Sequence, residues 1–328
     1  LIIMKIALIF NKNFPCTTGQ YIYKELVKLN HRVEILSFKE KNEILKLHPD
    51  FILAIDDSSH YILNINYHPK AIWIIDSHTS FVCDKVMAKS FDIIFVAQKE
   101  YVEKFKKFNT YVYWLPLAAD LDWHGKKDLE KIYDIAFIGQ LGVGWRRKIL
   151  LNLKKDYPNS FISSADCRKI GEIYSQSKIV VNYNVNNDIN MRVFEAMASG
   201  SLLITNRIKN NGFEELFENN KHLVVYDGTY KDLKEKIDYY LKNDEEREKI
   251  AQEGYKLILE KHTYKHRVDF ILSKILEINK VEANFKNFST FQFKVLKFNL
   301  FLNFLFWKII YLRVWKLYEN IKASLFFK

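Results

Sequence analysis

The stretch Asn182-Tyr183-Asn184-Val185-Asn186-Asn187-Asp188-Ile189-Asn190-Met191-Arg192-Val193-Phe194-Glu195-Ala196-Met197-Ala198-Ser199-Gly200 decides the architecture. An apolar run ends near Tyr183, and an asparagine-rich loop follows. A helix is expected to start near Asp188, a suitable N-cap. Gly200 can end that helix, because glycine tolerates the left-handed conformation after the last turn. The next apolar run, Leu202–Thr205, begins two residues later. A strand, a short loop, a helix and a second strand form one βα unit of a parallel sheet.

The same alternation runs outward in both directions. Toward the N-terminus the expected strands are Ile6–Phe10, Val33–Leu36, Phe51–Ile55, Ala71–Ile75, Ile93–Ala97 and Tyr111–Leu115. A polar stretch without periodicity, Asp120 to Lys127, interrupts the series. It resumes with Ile135–Ile138, Phe161–Ser163, Ile179–Tyr183, Leu202–Thr205 and Leu223–Tyr226. Two series with one break predict two doubly wound, Rossmann-like α/β domains, residues 1–120 and 121–280. Closing helices are expected at the end of the second. There Leu233, Ile237, Tyr240 and Leu241 recur with helical spacing, and Asn243-Asp244-Glu245-Glu246 offers a cap and an acidic first turn.

Composition narrows the class. Of 328 residues, 48% are hydrophobic and 27% charged, and only 10 are Gly and 5 Pro, which excludes a disordered or collagen-like chain. Cys16, Cys83 and Cys167 lie 67 and 84 residues apart, with no zinc-ligand spacing. So sparse and odd a set is expected in a reducing compartment, and the first apolar run is too short for a signal peptide. The expected location is therefore cytoplasmic.

The net charge of +11 is uneven. Residues 281–328 hold eight basic and two acidic residues, a net +6, among Phe298, Phe301, Phe304, Phe306, Trp307, Tyr311, Trp315 and Tyr318. An amphipathic basic and aromatic helical tail is predicted there. Over residues 285–328 it suits the interface of an anionic membrane, and the chain's inner-face association would follow. A terminal helix pair packed on the body with lysines snorkelling outward is the competing reading. Nucleic acid ranks last, since no binding motif accompanies the charge. No apolar run reaches the length of a membrane crossing.

Four segments carry candidate chemistry. Asn11–Gln20 follows the first strand but holds one glycine, Gly19, and is not a dinucleotide fingerprint. It is an ordinary turn or a loop that closes over a ligand. Gly139-Gln140-Leu141-Gly142-Val143-Gly144 lets the backbone approach a ligand, and Arg146, Arg147 and Lys148 then open a helix. Cations at that end oppose the macrodipole, so an anion such as a diphosphate is expected beside them, the alternative being a solvated basic turn. In the third segment Arg192, Glu195 and Ser199 share one helix face. They are a weak surface pair or, in so apolar a helix, a ligand site. In the fourth, Asp76 and His78 follow a strand's carboxyl end, where cleft groups of an α/β sheet fall. His78 is a candidate base or hydroxyl-binding group, or simply a bonded loop histidine. His124, near the domain break, is a weaker candidate.

Arg192-Val193-Phe194-Glu195-Ala196-Met197-Ala198-Ser199-Gly200-Ser201-Leu202-Leu203-Ile204-Thr205 resembles the signature of group 1 glycosyltransferases with the GT-B fold. The likeness is closest to the CgeB-like, spore-maturation-type branch. Asp134–Gly139 with Arg146, Gly212–Asp227, and His262-Thr263-Tyr264-Lys265-His266-Arg267 add to it. So do Trp73 to His78, Phe91-Asp92 and Trp114 to Asp120. It covers about residues 4–275 and does not extend to the tail beyond about 281.

The resemblance implies transfer of a sugar from a nucleotide-sugar donor to a glycan or other surface-polymer acceptor, with no metal or other cofactor. It implies that Glu195 bonds the ribose of the donor. Asn190, Met191 and Arg192 would meet the diphosphate, and Arg146 or Arg147 would stabilise the leaving group. Gly139 and Gly142 would line the donor. Catalytic roles fall to Arg146 and, on the acceptor side, to Asp76 and His78. One position departs from the family: Asn187 stands where many members carry a further glutamate, seven intervening residues before Glu195. A non-catalytic glycan- or nucleotide-binding module, or a nucleotide-sugar epimerase, is the alternative.

Overall fold

A computed structural model describes residues 2–36, 40–56 and 65–278, with eleven positions between 294 and 321 that are helical and exposed. The predicted tail over 281–328 otherwise lies outside the described residues. Packing divides the chain into two units. One holds Leu1–Leu117 and the helix that begins at Tyr264, and the other Ala118–Thr263.

The first unit is built on a six-stranded parallel sheet. Its strands are β1 (Lys5–Ile9), β2 (Arg32–Leu36), β3 (Phe51–Ile55), β4 (Lys70–Ile74), β5 (Ile93–Val96) and β6 (Tyr111–Trp114), in the order β2-β1-β3-β4-β5-β6. β3, β4 and β5 are buried along their whole length. That is why their sequences read as continuous apolar runs rather than alternation. Helix α1 (Thr18–Lys28) is capped by Thr17, whose side chain accepts from the Gln20 amide. Its Gly19 is a packing glycine: a Cβ there would strike the Phe10 ring. Helices α2 (Lys41–Leu47), α3 (Ser77–Met87) and α4 (Val102–Lys106) complete the connections.

The second unit has a five-stranded parallel sheet. β7 (Tyr133–Ile138), β8 (Ser160–Ser163), β9 (Ser177–Asn182), β10 (Leu202–Asn206) and β11 (Val224–Tyr226) lie in the order β11-β10-β9-β7-β8. Its helices are α5 (Leu121–His124), α6 (Gly144–Asp156), α7 (Ile170–Ser175), α8 (Met191–Ala198), α9 (Phe213–Leu216), α10 (Tyr230–Lys242) and α11 (Asp244–Lys261). Leu233, Ile237 and Tyr240 of α10 are buried, as their spacing predicts, and join the core with Ile149, Leu153, Val181 and Ile204. Both units are doubly wound α/β domains, the predicted fold class.

The last described helix differs from expectation. α12 (Tyr264–Ile278), predicted among the closing helices of the second domain, packs in the first unit instead. The Tyr264 ring lies 4.9 Å from that of Tyr21 and 6.3 Å from that of Trp73. Arg267 donates to the carbonyls of Pro116 (2.7 Å) and Leu117 (2.9 Å). Its burial pulls the guanidinium pKa down to about 10, opposed by Tyr264.

Candidate functional site

In the second unit the chain leaves β7 for β8 on one side and returns to β9 on the other. The adjacent carboxyl ends of β7 and β9 therefore bound a switch point, where diverging loops leave a crevice in sheets of this kind. Three predicted pieces meet there: the glycine loop after β7, the asparagine-rich loop after β9, and α8.

Arg192 reaches from the first turn of α8 to the end of β7. Its Nε and one terminal nitrogen donate to the Ile138 carbonyl at 3.1 and 2.9 Å. The other terminal nitrogen donates to Asn182 Oδ1 at 2.7 Å. The guanidinium lies over the Phe137 ring, 4.3 Å from its centre. Gly139 makes this possible. Its φ is +150°, and a Cβ there would sit 2.7 Å from the Arg192 guanidinium.

Arg146, in the first turn of α6, folds back over Gly142 and donates to the Leu141 carbonyl at 3.3 Å. Burial and then the charge of Arg192 depress its pKa, while Asp188 opposes them. Two guanidinium groups thus crowd one strand end, and a bound anion would relieve their repulsion. Arg147, one residue on, is exposed.

The helix start differs from the prediction. Asp188 is not the cap, because its amide donates to Asn184 Oδ1 at 3.1 Å and holds it in the loop. α8 begins at Met191, with Asn190 in the N-cap position and extended. The Asn190 side chain makes no capping bond. It donates to Asn182 Oδ1 at 3.4 Å, and its own Oδ1 is buried without a hydrogen-bond partner. The first-turn amides beside half-buried Met191 and Arg192 therefore have no side-chain cap, the arrangement that receives anions at helix N-termini. Gly200 ends the helix as predicted, at φ +73°.

Glu195 is 8% exposed. Burial pushes its carboxyl pKa up to about 7, with the charge of Arg192 acting against it. The predicted Arg192–Glu195 surface pair is not what forms. Arg192 turns to Ile138 and Asn182, and Glu195 lies 3.5 Å from Nε2 of His124 on α5. Ser199 donates within its own helix, to the Ala196 carbonyl at 2.7 Å. Asn187 is occupied with the backbone of Lys209.

Asp76 and His78 lie in the first unit, at the carboxyl end of β4. Asp76 is exposed and stands before α3 without a side-chain cap bond. His78 is half-buried, and its Nδ1 is buried without a hydrogen-bond partner. The switch point of this sheet lies between β1 and β3, one strand away. The loop after β1 and Asp56 occupy it. Asp56 has φ +57° and accepts the Ile75 amide at 3.3 Å.

Sequence reasoning passed over Asn182 and Tyr174 of the second unit and ranked His124 low. Asn182 collects Arg192 and Asn190 on its Oδ1 and donates to Thr205 Oγ1 at 3.0 Å. Tyr174, fully buried, accepts the Ile138 amide at 3.3 Å. His124 holds Glu195. Of these only His124 stood out in the sequence, as a lone imidazole beside the domain break. No group of three or more His, Cys, Asp or Glu placed to hold a metal ion occurs among the described residues.

Comparison with known proteins bears on the family and the fold. Residues 124–273 match the family described as glycosyl transferase-like. No curated protein sequence matches the chain. Solved structures share the fold. A sucrose-phosphate synthase from Thermosynechococcus elongatus has TM-score 0.65 at 11% identity, over 84% of this chain and 99% of that one. The Anabaena protein HepE in complex with UDP and glucose has TM-score 0.63 at 12% identity, over 84% of this chain and 100% of that one. A glycosyltransferase from Rickettsia africae has TM-score 0.59 at 14% identity, over 84% and 98%.

Proposed function

We propose that this chain, which carries a glycosyltransferase domain in a GT-B fold, moves a sugar from a nucleoside-diphosphate donor to a glycan or other surface-polymer acceptor. The carrying observation is the crowding of Arg146 and Arg192 at the end of β7 beside the buried carboxyl of Glu195. The solved relative in complex with UDP and glucose supports the choice of donor class.

In this reading the ribose hydroxyls donate to Glu195, and charge-assisted bonds of that kind are each worth about 1.5–3 kcal/mol. The diphosphate meets the first-turn amides of α8 and the guanidinium of Arg146. When the bond from the anomeric carbon to the phosphate oxygen breaks, the electron pair leaves with the diphosphate. Arg146 and Arg192 stabilise that charge in the role a metal ion has in other transferases. Asp76 and His78 are proposed to serve the acceptor. The basic, aromatic tail is proposed to hold the enzyme on an anionic membrane surface, close to a polymer acceptor. The nearer likeness to the CgeB-like branch belongs to the same proposal.

The test is calorimetric titration with UDP and UDP-glucose, with and without a chelator. Glu195→Gln and Arg192→Ala should each weaken binding more than tenfold with circular dichroism unchanged. Unchanged affinity would remove the donor site from this crevice. A non-catalytic binding module is the second reading, favoured by Asn187 in place of a glutamate. Binding without turnover across a panel of donors and acceptors would select it.

A further inference from the structure

We propose that His124 is the positioning residue for Glu195. In this role its ring presents an N–H to the carboxylate and keeps it turned toward the donor. The inference rests on the reading of Glu195 as the nucleotide-binding carboxylate.

The imidazole is fully buried, with 0% of the residue exposed. Its Nδ1 accepts the Asp120 amide at 3.1 Å. That acceptor role leaves the proton of a neutral ring on Nε2, the nitrogen 3.5 Å from Glu195 Oε1. A ring in that tautomer presents its Nε2 N–H to the carboxylate. The 3.5 Å separation is longer than a formed hydrogen bond. It holds a donor beside one oxygen without consuming the carboxylate.

The mounting of His124 is rigid. It ends the four-residue helix α5, and Asp120 caps that helix by accepting the Trp123 amide at 3.1 Å. Helix α7 closes on the back of this turn at Gly171, where a Cβ would strike the Trp123 carbonyl oxygen. Among the described residues, the polar and charged groups that reach Glu195 include His124 on α5, Tyr174 on α7 and Arg192 on its own helix α8. Arg192 is bonded to Ile138 and Asn182, and Tyr174 to the Ile138 amide. His124 thus stands with its Nε2 3.5 Å from the carboxyl.

Two substitutions separate the atoms of the ring. Asn at 124 retains an acceptor for the Asp120 amide but loses the distal N–H. Gln at 124 retains a distal N–H. Titration of UDP against wild type, Glu195→Gln, His124→Asn and His124→Gln, from pH 5.5 to 8.5, reads the difference. Wild-type affinity should fall as Glu195 takes up a proton on acidification. His124→Asn should weaken binding about tenfold at pH 7 and move that fall to higher pH. His124→Gln should recover most of the loss.

Nitrogen-15 spectra of the wild-type histidines provide a second measurement that needs no variant to fold. His124 should be protonated at Nε2, and its Nε2 signal should shift when UDP binds. An Nδ1-protonated ring overturns the proposal, as does a wild-type pH profile retained by His124→Asn. If Glu195→Gln binds UDP as wild type does, the donor-site reading falls and this inference with it. If Glu195→Gln weakens binding while both His124 variants match wild type, the inference alone falls.

Discussion

Asn187 clasps the backbone of Lys209 from both sides, its Nδ2 donating to the Lys209 carbonyl at 2.6 Å and its Oδ1 accepting the Lys209 amide at 2.8 Å. Its φ is +60°, a conformation asparagine tolerates better than most residues. The side chain at this position is thus spent on tying two loops together. Asn187→Glu is expected to lose both bonds and to strain the backbone, costing about 1–3 kcal/mol. Urea denaturation checks it, and no gain in transfer activity should accompany the loss.

Glu195 gives stability and ligand affinity opposite pH dependences. Its folded pKa of about 7 lies above that of the unfolded chain. Between roughly pH 7 and pH 4.5 the folded form alone holds the proton, so acidification through that window favours folding by about 1.4 kcal/mol per pH unit. On the proposed reading, in which the ribose donates to the Glu195 carboxylate, nucleotide binding should weaken over the same range. Melting temperatures of wild type minus those of Glu195→Gln, measured from pH 8 to pH 5, should rise as pH falls.

Gly139→Ala places a methyl group against the Arg192 guanidinium, at a backbone φ of +150°. We expect a cost of about 1–3 kcal/mol and displacement of Arg192 from the Ile138 carbonyl. Affinity for UDP should drop at least tenfold, measured by calorimetry on protein whose circular dichroism is unchanged.

Arg267→Met removes the donors to Pro116 and Leu117 and leaves two buried carbonyls unpaired. A loss of about 2–4 kcal/mol is expected. Chemical denaturation should show it as a lower midpoint for the first unit.

A chain ending at residue 280 should retain UDP affinity and lose sedimentation with anionic liposomes. Failure of the shortened chain to fold would instead make the tail part of the body.

The strands were legible because buried parallel strands leave apolar runs, and Phe51–Ile55 was readable to the residue. Helix α8 was legible as a helix but not in its start. Asp188 has the chemistry of a cap, and only the tertiary bond from its amide to Asn184 rules it out. The pairing of Arg192 with Glu195 followed from helical spacing, yet each side chain found a nonlocal partner instead. His124 lies 71 residues before Glu195, and nothing local marks the two as neighbours. The periodicity of α12 announces a helix but carries no information about which sheet it covers.

The return of α12 to the first unit makes residues 118–263 an insertion within another domain. Its two ends are fastened together: the Ala119 amide donates to the His262 carbonyl at 2.9 Å, and Ala119 bridges Thr263. On the host side Arg267 fastens the departing strand at Pro116 and Leu117. The chain therefore enters and leaves the second unit through one doubly stitched doorway. A graft that exchanged everything between the stitches would carry the crevice of the second unit from one such protein to another with a single seam to match.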